Sequence, residues 1–164
     1  MDNYEVVING VKIAAKILEI EISEIRFFDK ASRNKSINAM FLIDKNIIAF
    51  NKEWVNKATN INELLITCFH ETRHVFQWEV INGKYNGDEV VSSKTKGVWR
   101  AEFNNYHSTT GNIDNDQEYL LQDIEIDAIT FTYKLMSDYF SVKCTIPDLI
   151  KEQVNKKIKL MELN

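Results

Sequence analysis

Residues 61–81 are the stretch that most limits how this chain can fold. They read as one long helix with a clear start and a clear stop. Asn60-Ile61-Asn62-Glu63 has the form of a capping box, with Asn60 as N-cap and Glu63 at the third helical position. Asn82-Gly83 is a good C-terminal stop, since glycine takes the left-handed conformation that closes a helix. Leu64, Leu65, Cys68, Phe69 and Phe76 make an apolar side fit for core packing. The other side carries Ile66, His70, Arg73, His74 and Gln77.

That helix contains His70-Glu71-Thr72-Arg73-His74, an H-E-x-x-H motif. Residues four apart lie on one helical face about one turn apart, so both imidazoles can bind one Zn²⁺. Glu71 is placed to reach water at such a metal and act as its general base. The chain has three histidines in 164 residues, so a chance match to the motif is rare. A catalytic zinc site needs a third protein ligand and an open position. Position 80 is Val80, which excludes the metzincin pattern with its histidine six residues beyond the second.

Composition sets the background. Hydrophobic residues are 45% and charged residues 27% of the chain, as in ordinary globular proteins. The length suits one domain over residues 1–164. A net charge of −4 argues against general binding to nucleic acid or an anionic membrane. No apolar run reaches the roughly 18 residues of a membrane span. The start, Met1-Asp2-Asn3-Tyr4-Glu5, lacks the features of a signal peptide. Of the two cysteines, Cys68 falls on the apolar side of the motif helix, where a buried free thiol is expected. A reduced, cytoplasmic setting is the expectation.

Along the chain, a helix is expected from about Gly10 to Ile20 and a short strand at Ile25 to Phe28. Lys30 to Lys35 reads as loop. Ile37 to Ile43 and Asn46 to Asn51 read as a hairpin turning at Asp44-Lys45, with Asn46 to Asn51 as the edge strand of the sheet. Lys52 to Lys57 leads into the motif helix. An inserted segment at about 84–117 is partly helical, since Trp99, Phe103 and Tyr106 recur at helical spacing. His107 to Asn112 reads as loop. A helix from about Asn115 to Tyr139 and a last one from about Pro147 to Leu160 complete the chain, the latter packing on the domain or on a partner. Strands first and helices later make the class α+β, with a small sheet packed on the motif helix.

The helix at Gln117 to Tyr139 is rich in acids and supplies the third ligand candidates. Leu121, Ile124, Ala128, Phe131 and Leu135 form its buried stripe, and Asp123, Asp127, Thr130 and Lys134 its polar face. Glu125 lies on the inward side and is the first candidate. Glu118 is the reserve, with His107 and the aspartates behind it.

His70-Glu71-x-x-His74 followed by Glu125-Ile126-Asp127-Ala128-Ile129-Thr130-Phe131 resembles the gluzincin arrangement. The pattern E-x-x-A-x-x-F is similar to that of the ImmA/IrrE-type metallopeptidases. Two features differ: about 50 residues separate the motifs, and position 129 is Ile129 where thermolysin-like enzymes carry an aspartate. The resemblance implies a minimal zincin-like domain with zinc held by His70, His74 and Glu125, and Glu71 as catalytic base. It implies hydrolysis of a peptide or protein substrate, of narrow specificity. Tyr106 and His107 are candidate donors to the oxyanion. Gln77, or Asp127 on a rotated helix, is the candidate to hold the outer nitrogen of a histidine, while Arg73 pairs with an acid to tether the helix. Two alternatives stay open: a zinc-binding zincin-like interaction or regulatory protein without peptidase activity, and a chain whose histidines bind no metal. The sequence is silent on oligomeric state.

Overall fold

The computed structural model describes residues 2–29, 37–109 and 116–161. The expected loops at Lys30 to Lys35 and at 110–112 lie outside the described residues. Among those described, seven α-helices accompany a small mixed sheet of three strands, an α+β chain. The residues divide into two compact units, 1–91 and 92–164, and the 84–117 stretch is shared between them. No helix among the described residues is long and apolar enough to cross a membrane.

The first unit opens with helix α1, Asn3–Ile17. It starts seven residues ahead of the expected position because Asp2 and Glu5 form a capping box. The Glu5 amide donates to Asp2 Oδ1 at 2.7 Å, and the Asp2 amide donates to Glu5 Oε2 at 3.2 Å. Its inner face, Val6, Val7, Gly10, Val11, Ala14 and Ala15, is buried. Gly10 is small for a reason: a Cβ there would lie 3.1 Å from Cys68 Cβ and from Leu65 Cδ2. The missing side chain lets α1 lie close on helix α3, Ile61–Ile81. At this contact the Cys68 thiol donates to the Val7 carbonyl at 3.5 Å. Cys68 is a buried free thiol, as expected. Burial, reinforced by the Glu71 carboxylate, pushes its pKa far up, so it stays an unreactive thiol.

The strands are β1, Glu24–Phe28, β2, Ala39–Leu42, and β3, Ile47–Asn51, in the order β1-β3-β2. β2 and β3 form the expected antiparallel hairpin, pairing Leu42 with Ile47 through Ala39 with Phe50. Its link is longer than Asp44-Lys45: a 3₁₀ turn at Ile43–Lys45 is closed by Asn46 in the left-handed conformation, which asparagine tolerates. β3 is not an edge strand. β1 pairs along its other side in parallel, Glu24 with Ile47 through Phe28 with Asn51. All five residues of β3 are buried, so its run Ile47-Ile48-Ala49-Phe50 reads as a central strand covered on both faces. Asn51 then caps helix α2, Lys52–Lys57, accepting from the Glu53 amide at 2.9 Å. Sheet and α1 both pack on α3.

The second unit holds helix α4, Ser93–Asn104, α5, Gln117–Leu120, α6, Asp123–Phe140, and α7, Lys151–Met161. The expected single helix from Asn115 to Tyr139 is broken at Leu121-Gln122, where Gln122 is extended and sits at the N-cap position of α6 without a capping bond from its side chain. Leu121 is 48% exposed and does not belong to the buried stripe, whereas Asp127 and Thr130, expected on the polar face, are buried. Ile124, Ala128, Phe131 and Leu135 are buried as expected. Helix α7 packs on α6 of its own unit, joining Ile150 and Val154 to Leu120 and Ile126 in one apolar cluster.

Candidate metal centre

Helix α3 runs over the range expected for it, and its caps explain why. Asn60 is the N-cap as expected, its side chain accepting from the Asn62 amide at 3.0 Å, but the capping box does not form: the Glu63 amide donates to the Asn60 carbonyl at 3.1 Å instead. At the other end, the Asn82 amide donates back to Trp78 at 3.2 Å and Gly83 takes a positive φ of 69°. Leu64, Leu65, Cys68, Phe69 and Phe76 are buried as the apolar side requires, but the opposite side is covered too. His74 is 6% exposed, Arg73 2% and Gln77 fully buried, while His70 and Glu71 are half-buried. Burying polar groups is costly unless each is bonded, so their partners carry the meaning of the site.

His70 Nε2 and His74 Nε2 face each other at 3.0 Å, with the two rings nearly perpendicular. On the far side of His74, Nδ1 lies 2.9 Å from Gln77 Oε1. An amide oxygen only accepts, so Nδ1 carries the proton, and in the neutral ring Nε2 keeps its lone pair. Two ring nitrogens this close need a shared proton or a cation between them. Two nitrogens bound to one zinc at about 2.0–2.1 Å each would stand about 3.3 Å apart at the tetrahedral angle. The pair therefore fits zinc with a small opening of the two rings.

Gln77 is the residue that fixes this tautomer, in the role considered for it from the sequence. Exchanging it for leucine keeps the volume and removes the acceptor. If the pair holds zinc, the zinc affinity of Gln77→Leu should fall roughly 10- to 100-fold, the usual effect of losing a hydrogen bond to a ligand histidine. Competition with a chromogenic chelator measures it, and an affinity equal to wild type would show that His74 is oriented by something else.

Arg73 tethers the helix, as expected, and its acid is Glu89. Nη1 donates to Oε2 at 2.8 Å and Nη2 to Oε1 at 2.6 Å, a two-pronged bridge. The guanidinium also lies 4.1 Å over the Phe76 ring, which packs edge-on against Tyr85. The Glu89 amide donates to the Tyr85 hydroxyl at 3.1 Å, and the Asp88 amide donates to Glu19 Oε2 at 2.9 Å. Residues 85–89 are thus fastened to α3 through Arg73 and to the end of α1 through Glu19.

The remaining candidates lie in the second unit. Glu125, in the first turn of α6, is fully buried, and its Oε1 accepts from the Tyr106 hydroxyl at 2.8 Å. Glu118, the reserve ligand, has a side chain 84% exposed and pairs with His107 Nδ1 at 3.4 Å. Asp123 accepts from Trp99 Nε1 at 2.9 Å, and Lys157 lies 3.1 Å from Asp123 and 3.9 Å from Asp127. Both aspartates thus have structural partners in their own unit. Tyr106 falls beyond the end of α4 and does not extend the Trp99 stripe. Its hydroxyl is directed at a carboxylate, which sequence spacing could not show.

No protein-family model, curated protein or solved structure matches the chain.

Proposed function

We propose that the chain is a zinc-dependent metallopeptidase, with His70, His74 and Glu125 as metal ligands and Glu71 as general base. The observation that carries the proposal is the pair of Nε2 atoms 3.0 Å apart on α3, with the outer nitrogen of His74 held by Gln77. Glu125 is favoured over Glu118 because it is fully buried whereas the Glu118 side chain is 84% exposed. A buried carboxylate needs its charge balanced, and a divalent cation is one group that does so. Two imidazoles and one carboxylate are the donor set of catalytic zinc sites, which leave a position open, and not of the four-ligand structural sites.

Zinc would supply Lewis acidity there, bringing the pKa of water down to about 7 and polarising a peptide carbonyl. Glu71 would take the proton of the attacking water and deliver it to the departing amine. His70 and His74 act as neutral imidazoles through Nε2, and Gln77 keeps the His74 proton on Nδ1. The substrate is a peptide or protein segment, of narrow range.

An unbiased peptide library, analysed by mass spectrometry, tests the proposal. Zinc-loaded protein should cut a small set of its members, chelation should stop the cutting, and zinc in slight excess should restore it. Casein should survive. A library left whole by zinc-loaded protein would contradict peptidase activity and favour a zinc-binding interaction protein.

A further inference from the structure

We infer that Tyr106 is a positioning residue for the Glu125 carboxylate, presenting it for metal binding; this rests on the zinc reading above. The phenol donates to Glu125 Oε1 at 2.8 Å. One carboxylate oxygen is thereby held by a fixed donor, which orients the other for a cation. A free glutamate side chain has several rotamers, and binding a metal must freeze them. A hydrogen bond made beforehand lowers that cost. Ligating carboxylates are commonly held in this way by a neighbouring donor.

The phenol is itself anchored to the turn of chain that carries Glu125. Gln122, 5% exposed, grips the backbone of the next residue on both sides: the His107 amide donates to its Oε1 at 3.0 Å, and its Nε2 donates to the His107 carbonyl at 3.0 Å. Helix α4 is tied to the same turn. The Glu102 carboxylate accepts from the Asp123 amide at 2.9 Å and the Ile124 amide at 3.0 Å, capping α6 in place of a local side chain. Trp99 Nε1 donates to Asp123 Oδ2 at 2.9 Å. Tyr106 and Glu125 are therefore both referenced to residues 122–124, so their separation does not depend on a flexible loop. The arrangement also separates this role from the oxyanion donation considered for Tyr106: its one proton points at Glu125.

Tyr106→Phe tests the inference, since it keeps the ring and its edge-on contact with Tyr119 and removes only the hydroxyl. Zinc dissociation constants would be measured by chelator competition for wild type, Tyr106→Phe, Glu125→Ala and the double variant. The expected result is a loss of roughly 10- to 100-fold for Tyr106→Phe in the wild-type background, and no further loss when Glu125 is already alanine. A merely structural role would weaken binding equally in both backgrounds, and that result overturns the inference. So does a Tyr106→Phe affinity equal to wild type. If Glu125→Ala itself binds zinc as wild type does, or if wild type binds none, the zinc reading of Glu125 fails and takes the inference with it.

Discussion

Glu125→Ala is expected to bind zinc more than about 100-fold more weakly than wild type, beyond the range seen when only a supporting hydrogen bond is lost. The metal-free fold should survive the change. Glu125 is fully buried, so alanine there removes the desolvation cost of a carboxylate and leaves a small cavity in its place. The Tyr106 hydroxyl loses its acceptor, but Tyr106 is 42% exposed and water can replace it. Thermal melts separate the two effects. Wild type should melt higher as zinc is added, because a ligand that binds only the folded state stabilises it by mass action. Glu125→Ala should still melt cooperatively and respond little to zinc. A full zinc response in the variant would remove Glu125 from the ligand set.

Glu71→Gln should produce the opposite pattern, keeping zinc and losing turnover. Glutamine has the same size and cannot accept a proton, so cleavage of any library peptide cut by wild type should fall about 10²- to 10⁴-fold, the range for a lost general base. Zinc affinity should change little, since Glu71 is not a proposed ligand. Wild-type cleavage rates in Glu71→Gln would assign the base to another group.

The parts of this molecule set by local chemistry were legible in the sequence. Helix α3 keeps the ends that Asn60 and Asn82-Gly83 dictate, and Gln77 lies on the His74 ring because residues three apart in a helix meet. The hairpin was readable for the same reason. Other errors came from signals passed over or from contacts distant in sequence. Asp2 and Glu5 spell a capping box that places the start of α1 seven residues early. The centre of the sheet was missed because β1 decides it: a strand becomes central only when a second partner pairs with it, and nothing within Ile47–Asn51 names Glu24–Phe28 as that partner. The break before α6 was hidden because Leu121-Gln122 contains no glycine or proline. Gln122 leaves the helix and bonds both backbone groups of His107. Glu89 was one acid among many until the fold laid it on Arg73.

Zinc content of the wild-type protein, purified without added metal and measured by elemental mass spectrometry against protein concentration, tests the His70–His74 centre most directly. About one zinc per chain is the predicted result, with His74→Ala losing it. A wild type that holds no zinc, even after incubation with a slight excess, would contradict the metal centre and leave the 3.0 Å nitrogen pair as two histidines sharing a proton.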